Sequence, residues 1–189
     1  MTDFCAYLWP EEPTPIGQRN CGDCRLNEHG TRMVWGEGNP EAPIMILLDN
    51  PGSREDRENQ PFVCGTRKTL QLAVHDAGLK AEDLYITYIL KRKPLRAYDK
   101  ERTRHICMKH LKEQLDSKKP ELIICLGNVA VQSFFQDSEK EVKSLRGEVH
   151  DVRGHKTVVA YHPLAVRRRP NLWPLFLEDM KLAAEHFHR

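Results

Sequence analysis

Three places in this chain put chemically competent side chains directly after runs that read as strands. Asp49-Asn50-Pro51-Gly52 follows the apolar run Ile44 to Leu48. Tyr161-His162-Pro163 follows the strand-like run Thr157 to Tyr161 and leads into Arg167, Arg168 and Arg169. Lys91 to Arg104, KRKPLRAYDKERTR, carries seven basic residues and a tyrosine straight after Leu84 to Leu90. Ligand sites in open α/β sheets lie outside the carboxyl ends of the strands, so Asp49 is placed for chemistry. Asp49 and Asn50 could equally cap the turn that Pro51-Gly52 makes. Each basic run, taken singly, reads as a solvated face. Convergence at one sheet edge would instead make a groove that tracks phosphates.

A fourth candidate is Cys21-Gly22-Asp23-Cys24, within forty residues rich in turn formers. Two thiolates at this spacing converge on one ion, but a metal needs further ligands. None of the other cysteines, Cys5, Cys64, Cys107 and Cys125, forms a second such pair, which argues against a zinc ribbon. Cys125 lies within the apolar run Leu122 to Leu126 and reads as core. Cys107 follows the basic segment near the start of a helix.

The elements that must position these groups alternate in type. Ile44 to Leu48 and Leu122 to Leu126 are unbroken apolar runs, as in strands buried on both faces. Leu84 to Leu90 is β-branched and aromatic, and Glu148 to Val152 pairs with Thr157 to Tyr161 around Arg153-Gly154-His155. Helical spacing marks Thr66 to Gly78, Lys100 to Lys118, Asn128 to Phe135 and about Leu172 to Phe187, with Pro174 tolerated only in a first turn. Strands alternating with helices predict a mainly parallel sheet covered on both sides. At 189 residues the chain fits one domain, and a net charge of +2 with 30% charged residues excludes nothing about nucleic acid. No apolar run approaches membrane-spanning length, and the N-terminus lacks a signal peptide's hydrophobic stretch, so a cytoplasmic protein with reduced thiols is expected.

Taken together in order, these stretches resemble the uracil-DNA glycosylase superfamily, nearest to its iron–sulfur-containing family 4. The resemblance runs from Cys21 to the final helix. It comprises C-x-x-C-x-L at Cys21 to Leu26, Leu48 to Gly52 with Glu55-Asp56, and Pro61-Phe62-Val63-Cys64. It continues with Tyr85 to Pro94, Cys107, Leu126 to Ala130, Leu145 to Gly147 and His162 to Leu164. The resemblance implies one domain over residues 1–189, with residues 1–40 an irregular segment carrying the cysteine pair. The implied fold is a three-layer α/β/α sandwich with a central, mainly parallel four-stranded sheet.

It also implies a monomeric DNA glycosylase that hydrolyses the N-glycosidic bond of uracil or a related damaged base, as in base excision repair. Asp49 would position water or stabilise positive charge on the sugar. His162 would donate to the departing base, Phe62 would stack on it, and Asn50 and Tyr88 would line its pocket. Lys91, Arg92, Lys93, Arg167, Arg168 and Arg169 would hold DNA phosphates, and Leu164 would wedge into the duplex. Cys21, Cys24 and Cys107 would bind a 4Fe-4S cluster, with Cys5 or His105 as candidates for the fourth ligand.

The departures from the family pattern are specific. Asp49 stands where the family has Glu, Cys64 where it has Gly, and Leu164 where it has Ser. Tyr88 replaces an Asn that reads the uracil edge, and a phenol cannot reproduce a carboxamide's adjacent donor and acceptor. Arg92 replaces a cluster cysteine and cannot ligate iron. The alternative is therefore a nucleic-acid-binding protein on the same fold with weakened hydrolysis.

Overall fold

A computed structural model describes residue 4, residues 6–52 and residues 65–188. Four strands make the centre: β3 (Ile44–Leu48), β4 (Leu84–Tyr88), β5 (Leu122–Leu126) and β7 (His155–Ala160). They lie in the order β4-β3-β5-β7 and all run parallel. Antiparallel strands extend both sides: β2 (Gly36–Gly38) and β1 (Glu11–Glu12) beyond β4, and β6 (Val149–Val152) beyond β7. The expected four-stranded sheet is thus the parallel centre of a seven-stranded mixed sheet.

Period-two alternation divides the core between the two sheet faces. Ile44, Ile46, Leu48, Ile86, Ile124 and Val158 point to one side, against α1 (Gly65–Asp76), α5 (Pro163–Arg168) and α6 (Trp173–Phe187). Met45, Leu47, Tyr85, Ile123, Cys125 and Val159 point to the other, against α2 (Lys100–Lys118), α3 (Asn128–Phe135) and α4 (Val142–Leu145). Every residue of β3, β4 and β5 is buried, which is why their runs carry no polar alternation. The three-layer α/β/α arrangement follows from that double burial.

Local chemistry sets the helix ends. Asp99 caps α2 by accepting the Arg102 N–H at 3.1 Å, and Lys119 leaves the helix in a left-handed conformation before Pro120. Pro174 falls in the first turn of α6, where no helical N–H is lost.

Arg146 ties α6 to the segment after α4. Its Nε donates to Asp179 Oδ2 at 2.9 Å, and its Nη2 donates to the Leu175 carbonyl and to Glu178. Asp179 is fully buried, so its charge depends on this guanidinium. Arg146→Ala is expected to cost about 3–5 kcal/mol, because it strands a buried carboxylate. A urea titration reads this as a lowered midpoint, and a loss below about 1 kcal/mol would show that the pair is effectively solvated.

Candidate active site

The parallel register brings the strand ends into one row: Leu48 lies beside Tyr88, and Leu126 beside Ala160. Asp49 leaves β3 at this row, and its carbonyl oxygen accepts the Leu90 N–H at 2.9 Å. Its Oδ1 accepts the Asn50 N–H at 2.8 Å, while Asn50 Nδ2 donates to the Pro51 carbonyl. His162 leaves β7 at the same row and caps α5, its Nδ1 accepting the Leu164 N–H at 3.1 Å.

That bond decides the tautomer. A neutral imidazole whose Nδ1 accepts must carry its proton on Nε2. Nε2 lies 3.3 Å from Asp49 Oδ1, so it donates towards the carboxylate. Gly127, at the end of β5, makes room for this meeting. Its φ is +89°, and a Cβ there would come within 2.9 Å of His162 Cβ.

Burial works to raise the Asp49 pKa. The hydrogen bond from His162, with that from the Asn50 N–H, outweighs it and holds the carboxyl below its ordinary range. Asp49 is therefore an anion at neutral pH.

A cleft of about 540 Å³ opens over these ends. Asp49, Asn50 and His162 line it, with Lys93, Leu164, Arg167 and Arg168 around them. Arg167 is laid across Gly65, where a Cβ would come within 2.4 Å of its Cζ. Tyr88 and Arg67 complete the lining beyond Asp49. The Tyr88 hydroxyl donates to Glu37 Oε1 at 2.9 Å and accepts from Arg67 Nη2, which also reaches Glu37 at 2.8 Å. Arg67 escaped the sequence reading because a basic residue in the first turn of a helix carries no distinguishing pattern. Phe62 lies outside the described residues, as do Cys5, Glu55-Asp56 and Cys64.

A carboxylate and an imidazole from separate strand ends thus share one cationic cleft. The family model of the uracil DNA glycosylase superfamily matches residues 35–185. The type-4 uracil-DNA glycosylase of Archaeoglobus fulgidus is 33% identical over 174 residues, covering 88% of this chain and 87% of that protein. Those of Saccharolobus solfataricus (32% over 176 residues; 88% and 82% covered) and Thermotoga maritima (32% over 170 residues; 87% and 88% covered) are similar at the same level. The chain belongs to the uracil-DNA glycosylase superfamily. Members of this superfamily are hydrolases of N-glycosyl bonds.

Within this glycosylase fold, two of the expected phosphate ligands do not reach the surface of the cleft. Lys91 is 1% exposed, and its Nζ donates to Thr87 Oγ1, the Tyr88 carbonyl and Gln114 Oε1 at 2.6–2.8 Å. Burial pulls its pKa down to about 7. Turned inward, it supplies a donor to each of these three buried oxygens. Arg92 is spent on backbone carbonyls, donating to those of Thr31 and Arg19. Arg169 is exposed at the end of α5 and is not among the residues lining the cleft. Lys93, Arg167 and Arg168 remain as cations facing it.

The cysteines meet at a different corner. The Cys107 thiol donates to Cys24, with the sulfurs 3.3 Å apart. That bond, helped by the nearby Arg92 charge, lowers the Cys24 pKa to about 6, while the same bond and burial raise that of Cys107. Cys21 is half-buried beside Lys109, which also binds Asp23. His105 is exposed and lines a separate hollow on α2 with Met108 and Gln132.

Among the described residues no group of three Cys, His, Asp or Glu is arranged to hold a metal ion. Three thiols, two in direct contact, beside an arginine do not make the four-cornered donor set that a 4Fe-4S cluster takes. No chemical step below passes through such a group. Arg92→Cys would supply a fourth thiol at this corner. Anaerobically prepared R92C is expected to carry more iron per chain than the wild type, with stronger visible absorbance. Equal iron in the two would show that Arg92 does not stand at a ligand position.

Proposed function

We propose that this protein is a DNA glycosylase that removes uracil or a related damaged base, acting as a monomer in the cytoplasm. The observation that carries the reading is the His162 Nε2–Asp49 Oδ1 approach of 3.3 Å inside a cationic cleft of about 540 Å³, large enough to admit a nucleobase. A base within a duplex must be turned out before its glycosidic bond can be reached. Lys93, Arg167 and Arg168 hold the flanking phosphates, Leu164 fills the gap in the stack, and Phe62 stacks on the extruded base.

The bond between C1′ and the base nitrogen then breaks, and the base leaves with the electron pair. His162 Nε2–H donates to the base as its negative charge grows, a bond made strongest in the transition state. Asp49 faces the sugar, stabilises its positive charge and accepts a proton from the incoming water. The water oxygen bonds to C1′, the proton taken up by Asp49 passes to the departing base, and carboxylate and neutral imidazole end as they began. Asn50 and Tyr88 contribute to the wall around the base.

The reading is tested with oligonucleotides carrying deaminated bases, single- and double-stranded, followed by alkali to cut abasic sites. Asp49→Asn is expected to abolish release while leaving DNA affinity in place, and His162→Ala to slow the chemical step by about 10²–10³-fold. Because His162 holds Asp49 below the ordinary carboxylate range, release should stay level through neutral pH. It should fall only in acid, below the ordinary carboxylate range, where the anion is lost. Tight binding without release by wild-type enzyme in excess would instead assign a binding protein that has lost hydrolysis.

Salt dependence separates the basic residues. Arg167→Ala should reduce the slope of log affinity against log salt by about 1, one phosphate contact. Lys91→Met should leave that slope unchanged while lowering stability, since its ammonium is buried. A slope change in the lysine variant would return Lys91 to the DNA surface.

A further inference from the structure

The sulfurs of Cys24 and Cys107, 83 positions apart in the chain, lie 3.3 Å from one another. A disulfide holds its sulfurs about 2.05 Å apart, so closure asks for an approach of about 1.3 Å. Cys21 stands instead beside Lys109, which also binds Asp23. Arg92 closes the corner with its guanidinium on the Thr31 and Arg19 carbonyls, and it offers no ligand atom. Residues that do not fit a four-iron cluster do fit a pair of thiols that exchange with a disulfide.

The two thiols differ in access. Cys107 is 4% exposed. Cys24 is half-buried and lines a hollow of about 300 Å³ between residues 23–29 and residues 97–106. A small molecule entering this hollow meets Cys24 first, with Cys107 behind it. Thiol–disulfide exchange needs that order: one open sulfur, and a second within reach to displace the first partner.

We propose that Cys24 and Cys107 form a reversible cross-link by exchange with a low-molecular-weight disulfide. The Cys24 sulfur attacks one sulfur of the incoming molecule, whose S–S bond breaks as a mixed disulfide forms. The small thiol that leaves takes up the proton that Cys24 releases. The Cys107 sulfur then attacks the Cys24 sulfur, and the second small thiol leaves with the Cys107 proton. The protein sulfurs lose two electrons, and the small disulfide is reduced to two thiols. In a reducing compartment the pair rests as thiols and closes under oxidative conditions.

The cross-link ties the cysteine turn to α2. The same turn holds the loop after β4 through several bonds. Thr31 Oγ1 donates to the Lys93 carbonyl at 2.9 Å, His29 Nδ1 accepts the Leu95 N–H at 3.1 Å, and Arg96 donates to the Glu28 carbonyl. Closing the cross-link therefore steadies the loop that presents Lys93 to the cleft.

The experiment uses the full-length protein prepared anaerobically, with its iron counted before oxidised glutathione is added. The expected product is lighter by two hydrogens, and proteolysis without reductant recovers Cys24 and Cys107 in one linked pair of peptides. The folding equilibrium constant should rise by about 10²–10³-fold, and dithiothreitol should reverse the gain. Amide hydrogen exchange should slow in residues 19–31 and 92–96. Cys21→Ser should keep the cross-link, whereas Cys107→Ser should stop at a mixed disulfide on Cys24. Bound iron that shields both thiols overturns the proposal. So does a wild-type product with free thiols, with an unresolved mixed disulfide, or with either residue paired to another cysteine. Unchanged exchange in residues 92–96 once the cross-link has formed would overturn its hold on the Lys93 loop.

Discussion

Everything at the cleft depends on the in-register parallel pairing of β3, β4, β5 and β7. Because Leu48 pairs with Tyr88 and Leu126 with Ala160, four chain segments leave the sheet at the same level. Asp49 and His162, distant in sequence, can then approach to 3.3 Å without either element bending out of the sheet. A one-residue slip of β7 would turn its buried side chains to the opposite face and carry His162 away from Asp49. Complete burial of β3 and β5 forbids such a slip, since neither face tolerates exchange with solvent. Packing energy spread over the whole core thus fixes a distance at one edge.

The same edge shows how a cationic surface is divided between structure and ligand. The basic run after β4 begins inside the protein, with Lys91 satisfying three buried acceptors and Arg92 closing two loop carbonyls. Only from Lys93 onward does it face the cleft, where Arg167 and Arg168 arrive from α5. The interior lysine is costly to charge, and its pKa near 7 reflects that cost. Its worth lies in joining β4 to α2 through Gln114, which also binds the Tyr85 hydroxyl and the Trp35 carbonyl.

How much of this was legible in the sequence depended on whether a residue's environment is set locally. Runs such as IMILL and LIICL announce strands because burial on both faces leaves no polar position. The bounds of α2 and α3 were readable from their helical spacing, and Asp49 and His162 from their places after strands. The edge strands Glu11–Glu12 and Gly36–Gly38 were not, since two or three residues of glutamate and glycine carry no period. Helix α5 was hidden for a related reason: its six residues begin with proline and end in arginines that read as a charge run. Lys91 and Lys93 differ by two positions in one basic stretch, and only the tertiary placement of Gln114 and Thr87 sends one inward.

Arg67 shows the limit of such reading most clearly, and it bears on how the site is organised. Among the described residues it meets the N-terminal segment (Trp9), the antiparallel edge (Glu37) and the end of β4 (Tyr88). The Asp49–His162 pair comes from the ends of β3 and β7, and His162 is seated on Gly127 at the end of β5. The Arg67 wall and the Asp49–His162 pair therefore rest on different elements of one sheet. Changes at Trp9, Glu37 or Tyr88 can reshape that wall while the parallel register keeps Asp49 and His162 in place. The two parts share a cleft but not the elements that hold them, so one can vary while the other keeps its geometry.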